Sequence, residues 1–244
     1  PKLSLKVKSI LNNDCGWEKQ NKLFSRKVEQ GIQENKLQKG VHLVKVPNAN
    51  QAQIRIGKVL NKQEIKPLEA LDLSSEYLGG GFTSVLMREL RTKRGLVYSA
   101  GAFASAQRNY GRSGISTFTK EETTAELLKV TKKILNGINK TGKIDKEKFR
   151  QAKGNLIGSY PFQFESSNAF LRRLLYLDHI DVPYSYLFSY KEKIKDLKSS
   201  KIVKTIGDVF NWEDQIIMIL GPETLKKQLN ELGDVKVWNY QDFL

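Results

Sequence analysis

The sequence predicts an α+β domain in which a mostly antiparallel sheet is covered on one face by a block of helices. Alternating, β-rich segments typical of strands occur in two consecutive pairs, first at residues 41–46 and 53–59, then at 97–106 and 110–118. A block of helical patterns follows, and a continuous apolar run at residues 215–220 predicts a strand buried on both faces. Strands and helices grouped in this way are typical of α+β domains.

The helices are predicted from their capping residues and prolines. The first begins at Pro67 and runs to about Arg94, with three glycines inside it, Gly79, Gly80 and Gly81. Glycine is less favourable than alanine inside a helix by about 1 kcal/mol, so we expect close approach of another backbone or a local break there. Later helix starts are predicted at Thr119, Asp145, Ser166 or Ser167, Pro183, Ser200 and Pro222.

The composition is that of a globular protein with a strongly basic balance. The 244 residues are 39% hydrophobic and 27% charged, and the formal net charge is +15. No apolar run approaches the roughly 18 residues that a membrane-spanning helix needs. The basic residues are mostly lysines spread along the chain rather than a block interleaved with aromatic residues. We therefore expect a solvated lysine-rich surface, with neither a membrane span nor nucleic-acid binding as the main function.

The beginning of the chain predicts a piece of a longer polypeptide. Position 1 is not Met, no signal-like segment follows, and residues 1–38 have the pattern of a helix end followed by a polar linker. We expect the folded domain to begin at residue 39. We also expect a soluble protein of the bacterial periplasm or cytoplasm, with the compartment left open.

The histidines and the cysteine exclude several kinds of catalytic centre. Only His42 and His179 occur, and neither has a second histidine at helical spacing, so no two-histidine zinc helix can be built. The single cysteine, Cys15, excludes an internal disulfide framework and a cysteine-rich zinc site. Two histidines would permit a Ser-His-Asp triad, but no G-x-S-x-G elbow occurs. The chain by itself therefore lacks a convincing catalytic centre.

Residues 78–106 join the predicted helix to a strand of small residues through a basic patch. Arg91 lies near the end of the helix and Tyr98 begins the strand. A guanidinium offers a rigid fork of donors, and a phenol can donate to a developing oxyanion. From the residues alone, an exposed helix arginine and a half-buried strand tyrosine remain the simpler interpretation. The apolar helix face is predicted to comprise Leu78, Phe82, Val85, Leu86 and Leu90.

The same stretch resembles the C-terminal, zinc-free half of the pitrilysin/insulinase family of zinc metallopeptidases, including the mitochondrial processing peptidase type. The resemblance is carried by LGGGFTSVLMRELRTKRGLVYSAGA, preceded by GVHLVKVPNANQAQIRIGKV and followed by IIMILGP, and it covers roughly residues 38–240. It implies the metallohydrolase, processing-peptidase-like fold for residues 39–244. Residues 1–38 would then be the remnant of a preceding homologous domain and a linker.

The resemblance also implies a division of labour between two homologous halves. One half binds zinc and activates water through an H-x-x-E-H motif and a distal glutamate. The other closes over it as a clamshell around an unfolded peptide and supplies an arginine and a tyrosine seven residues apart. These correspond here to Arg91 and Tyr98, whereas Arg94 is only four residues from Tyr98. The resemblance thus implies that both residues bind the peptide substrate and that Tyr98 stabilises the oxyanion in trans.

Three functions follow, in this order of preference. The first is the non-catalytic, substrate-binding half of a zinc peptidase, inactive alone, whose zinc lies in a partner half that is either a preceding domain or a separate subunit. The second is a catalytically silent scaffold or binding protein with the same fold. The third is a basic nucleic-acid-binding domain.

Overall fold

The computed structural model describes residue 9 and residues 38–243, and the chain divides into two units, residues 1–37 and 38–244. Apart from residues 9 and 38, the predicted remnant and linker over residues 1–38 lie outside the described residues and remain a prediction. The fold described below is that of the second unit.

The second unit is built on one sheet of six strands. In chain order these are β1 (Gly40–Lys45), β2 (Gln51–Asn61), β3 (Ala100–Ala106), β4 (Tyr110–Lys120), β5 (Ile216–Gly221) and β6 (Val235–Asn239). Across the sheet they lie in the order β3-β4-β2-β5-β1-β6. Strands β3, β4, β2 and β5 are antiparallel to their neighbours in this part of the sheet, whereas β1 is parallel to both β5 and β6. The predicted fold class is confirmed, since one mixed sheet is packed with helices.

The described residues form seven α-helices, and five of them follow one another between β4 and β5. Their bounds are α1 (Leu68–Gly79), α2 (Thr124–Thr141), α3 (Lys146–Ser159), α4 (Ser167–His179), α5 (Tyr186–Asp196), α6 (Ser199–Val209) and α7 (Leu225–Leu229). None of the described helices is long and apolar enough to cross a bilayer.

Two of the predicted caps are confirmed and one is wrong. The Asp145 carboxylate accepts a hydrogen bond from the Lys148 backbone N–H, and the Ser166 hydroxyl accepts one from that of Ala169, as N-caps do. Thr119 does not cap α2, because β4 continues to residue 120 and the Thr119 hydroxyl donates instead to the Leu96 carbonyl. The helix therefore begins at residue 124.

The helices cover one face of the sheet and leave much of the other open. In β2, Ala52, Ile54, Ile56 and Leu60 are buried, and the residues between them that point to the opposite face are largely exposed. In β5, Ile217 and Ile219 are buried, but Leu220 is 37% exposed. The prediction that this strand is buried on both faces is therefore wrong, because its long apolar run has only one helix-covered side.

Two carboxylates of α1 face α5, that of Glu69 buried and that of Asp72 on a half-buried residue. The Tyr186 hydroxyl donates to Glu69 and the Tyr190 hydroxyl donates to Asp72, each at 3.0 Å. Burial raises the pKa of Asp72, and nearby Glu69 adds to this, against the hydrogen bond from Tyr190 and the positive charge of Arg173. Asp72 thus binds its proton more tightly in the folded than in the unfolded protein.

This difference predicts a pH-dependent effect of Asp72→Asn on stability. A raised folded-state pKa contributes stability that is fully present below the unfolded pKa and is lost as pH rises through the folded pKa. As pH rises from about 4 to about 7, the parent protein loses this contribution and Asp72→Asn does not. We therefore expect the unfolding free energy of Asp72→Asn, minus that of the parent protein, to increase over this range when both are measured by urea denaturation. Asp208→Asn, which removes an exposed pair with Lys204, is the control. A difference between Asp72→Asn and the parent protein that does not change with pH would contradict this prediction.

Candidate functional site

The helix predicted over residues 67–94 is broken at the glycine triplet. Helix α1 ends at Gly79, residues 80–84 form a turn, and residues 85–92 are helical again, ending in the π-helical segment Met87–Thr92. The local break that the glycines predict is therefore present.

The close backbone approach is also present, at the first glycine of the triplet. A Cβ added to Gly79 would collide with the backbone of β3 and would lie 2.7 Å from the carbonyl carbon of Gly101. At Gly81 the same added atom would meet nothing within 4 Å. The two glycines thus differ in purpose: Gly79 lets α1 pack on β3, and Gly81 lies in the open turn.

We expect Gly79→Ala to destabilise the protein by about 1–3 kcal/mol, the usual range for forcing an extra methyl group into a packed site. Gly81→Ala is the matched control, and its unfolding midpoint should stay near that of the parent protein. Both are measured by urea denaturation. Equal unfolding midpoints for the two variants would show that the approach of α1 to β3 does not require glycine.

The break also turns Phe82 away from the core. Leu78 and Leu90 are fully buried, but Phe82 is 76% exposed. The prediction that all three share one apolar helix face is wrong for Phe82, because the non-helical turn interrupts the 3.6-residue period before it reaches this position. The glycine triplet directly before Phe82 is the sequence signal that could have found this.

Arg91 contacts two aromatic rings. Its guanidinium carbon is 5.0 Å from the centroid of the Phe82 ring and 5.2 Å from that of Tyr98, within the range of cation–π contacts. Tyr98, just before β3, is itself 72% exposed. The structure thus brings the two predicted residues together and adds Phe82 to them. We call these three residues the Arg91 cluster.

A left-handed glycine brings the two predicted residues together across their seven-residue spacing. Gly95 has φ +65°, a conformation that glycine adopts readily. Its N–H donates to the Arg91 carbonyl at 2.9 Å, and the next N–H, of Leu96, donates to the Leu90 carbonyl at 2.8 Å. These bonds end the π-helical segment and reverse the chain, so that Tyr98 returns over Arg91.

The other basic residues beside Arg91 differ in their partners. Glu89 binds Lys93 at 2.5 Å and Arg94 at 2.8 Å. Partial burial opposes ionisation of Glu89, but the hydrogen bonds from Lys93 and Arg94 outweigh it and lower its pKa. Within residues 38–243, the Arg91 guanidinium forms neither an ion pair nor a hydrogen bond, so its in-plane N–H groups are available to a ligand.

The surroundings of the cluster are positively charged. Lys148 of α3 donates from Nζ to the carbonyl of Thr83, in the turn that carries Phe82. Burial and the nearby positive charge of Arg88 lower the pKa of Lys148. The field around this turn therefore favours a ligand with carbonyl or carboxylate oxygens.

The histidines do not supply a metal site. His42 is fully buried; its Nδ1 accepts from the Trp238 indole N–H at 3.1 Å, which leaves Nε2 to donate to the Gln38 carbonyl at 2.7 Å. His179 contacts the Gln107 amide oxygen at 3.1 Å. Among the described residues no three His, Cys, Asp or Glu side chains are grouped so that they could hold a metal ion. The described residues therefore offer no ligand set that fits the zinc of a peptidase.

Sequence comparison identifies relatives that are zinc-protease-like. A family model described as "Peptidase M16 inactive domain" matches residues 8–156. An uncharacterized zinc protease of Streptomyces coelicolor is 31% identical over 105 residues, which are 43% of this chain and 23% of that protein. The chain thus matches under a quarter of the length of this curated relative.

Several solved structures share the fold. A peptidase M16 inactive domain from Pseudomonas fluorescens has a TM-score of 0.66 at 23% identity, with 76% of this chain and 44% of that chain covered. A protease from Helicobacter pylori has a TM-score of 0.63 at 20% identity, with 75% and 44% covered. A chain of complex III2 from Candida albicans has a TM-score of 0.62 at 15% identity, with 78% and 47% covered. The family match, which extends over more than half of the sequence, confirms the resemblance seen in residues 78–106: the chain belongs to the family of M16 peptidase inactive domains.

Proposed function

We propose that this chain is the substrate-binding, non-catalytic half of a zinc metallopeptidase clamshell, completing the active site of a partner half that carries H-x-x-E-H. The observation that carries the proposal is the Arg91 cluster, in which an exposed tyrosine and an arginine with available donors lie side by side. An arginine with a purely structural role usually forms an ion pair or hydrogen bonds within the fold. Arg91 keeps its donors available beside an exposed tyrosine and is therefore suited to an external ligand.

The chemistry that we assign to the pair is binding and charge stabilisation. Arg91 donates to a carbonyl oxygen of the peptide and fixes its register. The Tyr98 hydroxyl donates to the same region of the substrate, where negative charge develops on the scissile carbonyl oxygen in the transition state. Zinc in the partner half supplies the Lewis acid and the activated water.

The lengths of the relatives support a second half. This chain covers 44% of the Pseudomonas and Helicobacter chains, which leaves room in each for another domain of similar size. The partner half is therefore expected either in the same polypeptide or as a separate subunit of comparable length.

A scaffold or binding role without catalysis is the second candidate. It is favoured by the likeness to the complex III2 chain, because a fold shared with a protein of that description need not serve proteolysis. The two candidates differ in what they require of the Arg91 cluster, since a scaffold does not need its exposed donors.

Reconstitution tests the proposal. Cleavage of a set of fluorogenic peptides is measured with the H-x-x-E-H half alone, with this chain alone, and with the two together. We expect cleavage only by the pair, and strong loss of cleavage when Arg91 and Tyr98 are both replaced. A pair that cleaves peptides equally well with the double variant would contradict the proposal and favour the scaffold.

Metal analysis gives a separate prediction. We expect about one zinc per assembled pair and substoichiometric zinc in this chain alone, because its histidines are engaged within the fold. Removal of zinc by a chelator should abolish cleavage by the pair and leave the circular dichroism of this chain unchanged. Stoichiometric zinc in the isolated chain would contradict this division of labour.

A further inference from the structure

We infer that Phe82 is a positioning residue for Arg91: it holds the guanidinium plane in place so that the arginine meets the substrate with its donors already oriented. The inference rests on the proposed function, because it specifies how one residue of the proposed binding pair is prepared. It starts from the exposure of Phe82, which is 76% accessible in a turn, where a polar residue would be the ordinary choice.

The Arg91 guanidinium carbon lies over the Phe82 ring, which contains no conventional hydrogen-bond acceptor. Phe82 and Tyr98 lie over Arg91 at 5.0 and 5.2 Å. The five N–H donors of a guanidinium lie in its plane, and those of Arg91 form no hydrogen bond or ion pair within residues 38–243, so they remain available beside the two rings. An arginine side chain without such contacts samples many rotamers, and it loses this conformational entropy when a ligand binds. Two aromatic contacts reduce that cost before the substrate arrives.

The turn that carries Phe82 is itself held by three contacts. The Gly80 N–H donates to the Glu76 carbonyl at 3.0 Å, and the Ser84 N–H donates to the Gly81 carbonyl at 3.0 Å. Lys148 binds the Thr83 carbonyl from the neighbouring helix α3. Phe82 is thus presented by an ordered turn, which is what a positioning role requires.

The contribution of Phe82 can be separated from direct substrate contact by a double-mutant cycle. Cleavage by the assembled pair is measured for Phe82→Leu and Phe82→Tyr, each in the parent and the Arg91→Ala background. Leucine keeps the apolar bulk but loses the aromatic face, whereas tyrosine keeps the face. Phe188→Leu is the matched control, because Phe188 on α5 is also highly exposed, at 82%.

We expect Phe82→Leu to lower kcat/KM by about two- to five-fold, the scale of an exposed cation–π contact. Phe82→Tyr should retain parent activity, Phe188→Leu should have no effect, and Phe82→Leu should cause no further loss in the Arg91→Ala background. Thermal midpoints should stay equal, because the ring is exposed.

Each other outcome has a distinct meaning. If Arg91→Ala lowers kcat/KM and Phe82→Leu does not, the positioning role is overturned and the proposed function stands. If Phe82→Leu causes the same loss with and without Arg91, the ring contacts substrate directly and the positioning role is again overturned. If Arg91→Ala itself has no effect, the proposed function fails, and the inference fails with it.

Discussion

Replacing Arg91 with alanine lowers kcat/KM for peptide cleavage by the assembled pair by about 10- to 100-fold. This range corresponds to the loss of one hydrogen bond from a charged donor, at about 1.5–3 kcal/mol. The side chain is partly exposed and forms no ion pair among the described residues, so its removal should leave the thermal midpoint nearly unchanged. Steady-state kinetics on a fluorogenic peptide measure the first quantity and calorimetry measures the second.

Arg94→Ala is the matched control for this substitution. Arg94 is a neighbouring arginine of the same basic patch, but its guanidinium is bound to Glu89 at 2.8 Å. If charge alone attracted the peptide, the two variants would lose activity together, and the loss would shrink at high salt. We expect only Arg91→Ala to lose activity strongly. Equal losses in both variants would replace the specific role of Arg91 by a general electrostatic one.

Replacing Tyr98 with phenylalanine lowers kcat by about 10²- to 10³-fold with little change in KM. The range is that of removing one donor from an oxyanion site. Phenylalanine keeps the ring that lies 5.2 Å from Arg91 and removes only the hydroxyl, so the positioning of Arg91 is retained. A bond made mainly in the transition state affects kcat rather than substrate binding.

Tyr110→Phe is the control for the hydroxyl, since Tyr110 at the start of β4 is another exposed tyrosine, at 45%. It should behave as the parent protein. A Tyr98→Phe variant that raised KM and left kcat unchanged would assign Tyr98 to ground-state binding only. Unchanged values of both constants would remove Tyr98 from the site.

Local patterns were enough to predict most elements, and the family resemblance implied the two proposed site residues. The Asp145 and Ser166 caps are confirmed because capping depends on backbone groups three residues away. The segment LGGGFTSVLMRELRTKRGLVYSAGA and the strands on either side of it carried the family resemblance, which the family match confirms. The groups that interact in such features lie within a few residues of one another, so a local sequence pattern contains all of them.

Only the tertiary structure decided which side chains surround Arg91. The helix breaks where Gly79 meets the backbone of β3, more than twenty residues further along the chain, and this contact sends Phe82 outward. Lys93 and Arg94 both form ion pairs with Glu89. Only the side-chain geometry shows which of the neighbouring basic residues are paired in this way. Distant packing and competition among nearby charges are absent from any local pattern. For that reason the family resemblance implied the Arg91–Tyr98 pair, and the fold was needed to show that the Phe82 ring also contacts the arginine.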